Sequence, residues 1–201
     1  MRYAVSCAFT PNQSFDFTWE DADGNEHDES YPGLLGLAPA WQTGPLDATG
    51  QEWVSACLAS RVNALGVSVM LSSRGTSPAL ATTADERAYY STREAAFFGN
   101  IFGWDQHVYA CYDPVTSTLA QLEDRVCGNN GSLTSLLLNG LSTYDCGAIV
   151  VVGPCLNVLN LLSVGSCHWQ KYGDNYYYGC YGPWGEGLAS ITTFVHGPIP
   201  W

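Results

Sequence analysis

Polar and apolar positions alternate at the start of the chain. Tyr3, Val5, Cys7 and Phe9 follow a period of two, and Phe15, Phe17 and Trp19 repeat it. Such alternation predicts half-buried strands. The acidic run "EDADGNEHDE" comes next, and its Asp23-Gly24-Asn25 supplies hairpin-turn chemistry. After the Gly/Pro-punctuated loop "YPGLLGLAPAW", the pattern lengthens to a helical repeat in "TGQEWVSACLASRVNALG". There Val54, Leu58, Arg61 and Leu65 recur on one side, Thr49 and Glu52 form a capping box, and Gly66 is the expected stop. "VSVMLSS" reads as a strand. A second capping box, Thr83 with Glu86, opens "ADERAYYSTREAAFFGN", which predicts a partly buried helix ending near Gly99 with Tyr90, Ala95, Phe97 and Phe98 inward. "HVYACYD" predicts a short strand and "VTSTLAQLEDRVCG" a third helix, with Leu119, Leu122 and Val126 on one side. "CGAIVVVG" and "ASITTFVHG" read as further strands. With no internal repeat and no low-complexity linker, the expectation is one α+β domain over residues 1–201, a mixed or antiparallel sheet with about three helices.

Composition changes this picture in two ways. The chain of 201 residues is 46% apolar, enough for a sizeable core, yet it carries 19 acidic side chains against 7 basic ones and a formal charge of −12. Lys171 is the sole lysine. Nucleic acid is excluded as a partner, because phosphate binding needs clustered Lys and Arg. The eight cysteines, Cys7, Cys57, Cys111, Cys127, Cys146, Cys155, Cys167 and Cys180, are widely spaced and form no CxxC pair of the kind zinc ribbons use. They predict four disulfides and an oxidising compartment, with about a hundred connectivities open. "MRYAVSCAFTP" has no basic segment followed by an apolar one, so the expectation is a secreted or cell-surface protein in which Met1 stands where a leader has been removed.

Organisation shifts after Cys127. From Val126 to Gln170 the only charged side chain is Asp145, and Gly and Asn recur, marking an aromatic, Gly-rich C-terminal subregion at about residues 128–201. "AIVVVGPCLNVLNLLSVG" is uncharged, but Gly153, Pro154, Asn157 and Asn160 interrupt it, so a buried strand and an apolar turn are expected rather than a transmembrane segment.

Candidate chemistry is sparse. The acidic run offers Asp21, Asp23, Asn25 and Glu26 as calcium ligands, a fragment of the loop such ions favour; the alternative is a solvated hairpin tip whose charge blocks edge pairing. There is no GxSxG, Walker or HExxH motif. His27, His107, His168 and His196 lie in separate segments. Glu94 stands in an apolar, aromatic stretch where burial would favour a general acid, with Asp105 or Asp113 as partner carboxylate. The alternative is an ion pair of Glu94 with Arg93 or Arg87. The segment "CHWQKYGDNYYYGCYGPWG" is the densest aromatic run, and Trp169, Tyr172, Tyr176, Tyr177, Tyr178 and Trp184 are candidates for stacking on sugar rings. Three consecutive tyrosines cannot all face one side of a strand, so at least one should point outward.

"YPGLLGLAPAW", "EWVSACLASRVNALGV", "SSRG", "REAAFFGNIFG" and "VYAC" together resemble a group of uncharacterised, Cys-rich exported proteins and lipoproteins of large-genome soil bacteria. The resemblance covers residues 1–127 well and the remainder loosely. It implies export and carries no activity or catalytic residue. Many of those proteins hold an extra cysteine pair before the first helix, where this chain has "GPLDATGQEW"; the missing bridge leaves the loop before Trp53 freer. The resulting expectation is a disulfide-stapled binding or assembly module at the cell surface, its partner a glycan or further copies of itself. An extracellular hydrolase of polysaccharide or peptidoglycan using Glu94, and a calcium-dependent adhesion module, are the alternatives.

Overall fold

The computed structural model describes residues 1–104, 106–128, 132–134, 143–156 and 165–199. Its helices are α1 (Arg2–Ala8), α2 (Ala48–Ser60), α3 (Ala84–Tyr89) and α4 (Leu119–Val126). The strands are β1 (Ser14–Glu20), β2 (Glu26–Pro32), β3 (Ser72–Arg74), β4 (Thr92–Gly99), β5 (Val108–Tyr112), β6 (Ser132–Thr134), β7 (Thr143–Asp145), β8 (Ile149–Pro154), β9 (His168–Trp169), β10 (Tyr177–Tyr178), β11 (Cys180–Tyr181), β12 (Gly187–Leu188) and β13 (Ser190–Val195).

Seven strands form one mixed sheet in the order β3-β13-β4-β5-β8-β7-β6. β5 and β8 pair in parallel and the other pairs are antiparallel. A parallel pair needs a crossover, and α4 lies in the one between β5 and β8. Both sheet faces are covered. On one, Ala95, Phe97, Val108, Ala110, Ile149 and Val151 pack against Ala59 of α2 and Leu122 and Val126 of α4. On the other, Ala96, Phe98, Tyr109, Val150 and Val152 pack beneath Tyr177, Leu188 and four half-cystines. Double coverage explains why β8 reads as an unbroken apolar run. β1 and β2 make a separate antiparallel hairpin, and two short hairpins, β9 with β10 and β11 with β12, belong to the C-terminal subregion.

The pairing of β13 with β4 passes from Thr193 opposite Ala95 to Phe194 opposite Arg93, leaving Glu94 as the extra residue of a bulge. The bulge resets the alternation. Arg93 therefore meets Asp113 and Tyr177 on the aromatic face, while Glu94 meets Arg125 of α4 on the helix face.

The expected α+β class with a mixed, disulfide-stapled sheet is what the chain adopts, with four α-helices among the described residues. Four local expectations fail. Residues 3–9 form no strand: α1 buries Val5, Cys7 and Ala8 and exposes Tyr3, because its packing on α2 and the Cys7–Cys57 bridge select the small residues. The helix expected from Thr83 to Gly99 stops at Tyr89, and Glu94, Ala95, Phe97 and Phe98 lie on strand β4, where two-sided burial erases any period. α2 is capped by Asp47, whose carboxylate accepts the Gly50 amide at 2.7 Å, and ends at Ser60 rather than Leu65. Of "VSVMLSS" only Ser72 and Ser73 fall on a strand. The hairpin with its turn at Asp23-Gly24-Asn25, the Thr83 cap on the Glu86 amide, and strands β5, β8 and β13 stand where the pattern puts them.

The bridges are Cys7–Cys57, Cys111–Cys155, Cys127–Cys146 and Cys167–Cys180, the third nested inside the second. Among the described residues no helix is long and apolar enough to cross a membrane. Positions 157–164 of the uncharged stretch, and Asp105, lie outside the described residues.

Candidate functional site

Three of the arginines clamp the aromatic segment to the sheet. Arg74 of β3 donates to the Asp174 carbonyl at 3.0 Å and to the Tyr90 carbonyl at 2.6 Å. Arg87 of α3 donates to the Asp174 carboxylate at 2.9 Å, and Thr82 donates to the same oxygen. Arg93 reaches the Asn175 side-chain oxygen at 2.9 Å, and that oxygen also accepts the Trp169 indole N–H at 2.8 Å. Asn175 takes a left-handed backbone, φ 55°, which Asn tolerates better than most residues.

Below this turn sits a buried hub. Asp113 accepts the Tyr177 hydroxyl at 2.6 Å, the Arg93 Nε–H, the Val115 and Thr116 amides at 2.9 Å and the Thr116 hydroxyl at 2.9 Å. Burial by itself favours the neutral acid, but the Tyr177 bond, the Arg93 charge and the Val115 amide outweigh it and hold the carboxyl below the usual aspartate range. Burial, with the bond to Asp113 and the charge there, pushes the Tyr177 hydroxyl far above its ordinary value, so it serves as a hydrogen donor. Arg93 also lies over the Tyr177 and Trp169 rings, 4.8 and 4.9 Å from their centroids.

This arrangement sorts the six aromatic candidates. Tyr177 is fully buried, and Tyr176 and Tyr178 on the opposite side of the chain are half-buried. Trp169 is partly exposed, but its indole N–H and one face are engaged. Tyr172 and Trp184 are open to solvent, at 77% and 67% exposure. Trp184 has a neighbour that pattern reading did not single out. Trp104, 78% exposed in the β4–β5 connection, has its ring centroid 5.0 Å from that of Trp184, the planes inclined at 44°.

The two rings border a cleft of about 160 Å³ that is also lined by Glu52, Asn100, His107, Glu186 and Leu188. Its walls are well fixed. Glu52 of α2 accepts the Ala189 amide at 2.9 Å, and Glu186 accepts the Trp184 amide at 3.0 Å. Asn100 donates to Gln51 of α2 at 3.1 Å, and the Ile101 amide donates to Ser55 at the same distance. Gly99, at the end of β4, has φ 135°, and a Cβ there would come within 2.7 Å of the His107 carbonyl oxygen; only glycine lets the β4–β5 connection close beside the cleft. A larger hollow of about 400 Å³ against α2 is lined chiefly by apolar groups such as Leu58, Val62, Ile101 and Ile149.

The remaining candidates are dispersed. Glu94 is fully buried, with one oxygen accepting Arg125 at 2.5 Å and the Thr193 hydroxyl at 2.7 Å. Its ion partner is thus Arg125, not Arg93 or Arg87. Asp113 is Arg93's partner, so Glu94 and Asp113 are drawn to opposite faces of the sheet. In the β1–β2 turn, Asp21 accepts the Asp23 and Asn25 amides at 2.9 Å, the Asn25 side chain and the His27 ring at 2.9 Å. These bonds, that of His27 foremost, hold the Asp21 carboxyl down at about 2, and both its oxygens are engaged within the turn. Asp23 and Glu26 are exposed beside it. His27 stacks on Trp19 and His196 on Tyr89. Among the described residues, the group of potential ligands close enough to hold a metal is Cys111, Cys167 and Cys180, all within disulfides.

Topology and cysteine pairing define a disulfide-rich α+β domain. No protein-family model matches the chain, and comparison with curated proteins and with solved structures returns no match.

Proposed function

We propose that this chain is an exported, disulfide-stapled module that binds saccharide at or outside the cell surface, with Trp104 and Trp184 as its stacking platform. The observation that carries the reading is the pair of exposed indoles on the rim of a polar, well-braced cleft. Indole faces take up the C–H surfaces of a sugar, and Glu52, Asn100 and Glu186 are placed to meet its hydroxyls. A net charge of −12 favours neutral or amino sugars over anionic polymers. Each cleft carboxylate braces the site through one oxygen that accepts a backbone amide, which fits binding better than hydrolysis.

Binding of the oxidised protein to insoluble polysaccharides and soluble oligosaccharides, followed by co-sedimentation and tryptophan fluorescence, tests this. Trp184→Ala and Trp104→Ala should each weaken binding by about tenfold, the equivalent of roughly 1.4 kcal/mol, while Tyr172→Ala should leave it unchanged. Absence of any glycan affinity, or equal loss in all three variants, would overturn it. If the same rings instead join copies of the chain, sedimentation equilibrium would reveal a concentration-dependent dimer that Trp184→Ala abolishes.

A further inference from the structure

Four half-cystines from distant parts of the sequence come together in one part of the core. Cys111 lies in β5, Cys155 just beyond β8, Cys167 just before β9 and Cys180 in β11. The Sγ atoms of Cys111 and Cys167, which belong to different bridges, are 3.7 Å apart. Those of Cys111, Cys167 and Cys180 all lie within 4.8 Å of one another, while Cys155, bonded to Cys111, lies farther than that from at least one of Cys167 and Cys180. All four residues are buried in the core on the aromatic face. The other two bridges are elsewhere: Cys7–Cys57 lies with Trp53 and Leu80, and Cys127 packs on the helix face.

A tetrahedral zinc ion bound by thiolates at about 2.3 Å sets neighbouring sulfurs about 3.8 Å apart. The contact between the two bridges already has that length. To complete the tetrahedron the sulfurs of each opened bridge must part and the Cys155 sulfur must swing toward those of Cys167 and Cys180, movements made by side-chain rotation. We propose that Cys111, Cys155, Cys167 and Cys180 form a site for a soft divalent cation of the zinc type when their two bridges are reduced. Each bridge takes two electrons and two protons from a pair of thiols, which become a disulfide, or two electrons from a phosphine and two protons from the water whose oxygen converts the phosphine to its oxide. The cation then displaces four protons from the four thiols. One ion would join the same four segments that two bridges join, keeping the C-terminal subregion on the sheet where disulfides cannot persist.

The full chain would be reduced anaerobically with a water-soluble phosphine, given one equivalent of zinc, desalted and treated with iodoacetamide. The expected result is one zinc per chain, with these four cysteines shielded and Cys7, Cys57, Cys127 and Cys146 alkylated. Cobalt in place of zinc should give the visible absorption of a tetrahedral thiolate centre. Cys167→Ser should lose the stoichiometric metal. Cys7→Ser/Cys57→Ser should keep it, since reduction has already opened that bridge in every sample. Substoichiometric zinc, shielding spread over all eight cysteines, or equal loss in both variants would overturn the proposal; a reduced chain that unfolds and binds metal indiscriminately gives the last two.

Discussion

Replacing Asp113 by Asn tests whether the buried hub holds the C-terminal subregion in place. One Asp113 oxygen accepts the Val115 amide, the Thr116 amide and the Thr116 hydroxyl, and the other accepts Tyr177 and Arg93. An amide keeps one acceptor oxygen and puts a donor in place of the other. Whichever way it turns, at least two donors lose their acceptor, and Arg93, only 7% exposed, loses its counter-ion. Bonds to a charged group contribute about 1.5–3 kcal/mol each, and they do not add independently around one carboxylate. Breaking a buried pair from one side costs about 3–5 kcal/mol, which is the expected loss. For a chain of 201 residues this lowers the melting temperature by roughly 6–20 °C. Guanidinium unfolding followed by circular dichroism, with all bridges oxidised, supplies the measurement. Tyr177→Phe removes one bond and leaves the ion pair, so it should cost about 1–3 kcal/mol. An Asp113→Asn variant that loses less than about 1 kcal/mol, or no more than Tyr177→Phe, would refute the assignment of Asp113 as hub.

Three further outcomes follow from the same contacts. Because the fold holds the Asp113 carboxyl below its ordinary value, its contribution is complete above about pH 3.9 and is lost as pH falls through the lower folded value. Acid titration of stability should therefore be steeper in the wild type than in Asp113→Asn, and identical profiles would contradict this. Arg125→Met takes the counter-ion from buried Glu94 and leaves it the Thr193 hydroxyl at 2.7 Å; this should cost about 3–5 kcal/mol by calorimetry, most of which Glu94→Gln in the same chain should restore. Cys7→Ser/Cys57→Ser opens a bridge spanning 50 positions and should cost about 4 kcal/mol under oxidising conditions; a loss below about 1 kcal/mol would mean that α1 is held by packing alone.

Much of the local structure was legible because local chemistry fixes it. The turn at Asp23-Gly24-Asn25, flanked by alternating aromatics, gives the β1–β2 hairpin, and Thr83 caps α3 by its own hydroxyl. Reading failed where burial came from two sides. β4 is buried along Arg93–Gly99, so its sequence shows neither period, and a capped helix start ran on in the reading through what is a strand. The site was half legible. Trp184 stood out in a dense aromatic run, but Trp104 is a lone indole in a connection, and only the approach of the β11–β12 hairpin gives it a partner. Tyr177 looked like a surface candidate and is a core residue, since its hydroxyl finds Asp113 from 64 positions away.

By itself, then, the sequence determined what depends on neighbours along the chain: the α+β class, the hairpin turn, the capping of α3, the acidic surface and an even set of separated cysteines. Tertiary structure decided which cysteines pair, that α1 is a helix, and that a one-residue bulge puts Glu94 on the same face as Ala95 and turns Arg93 to the aromatic one. It also decided which aromatics remain in water. The physical reason is that pairing, burial and side-chain direction depend on groups dozens of positions apart, and a pattern of period two or 3.6 records only what one element needs on its own.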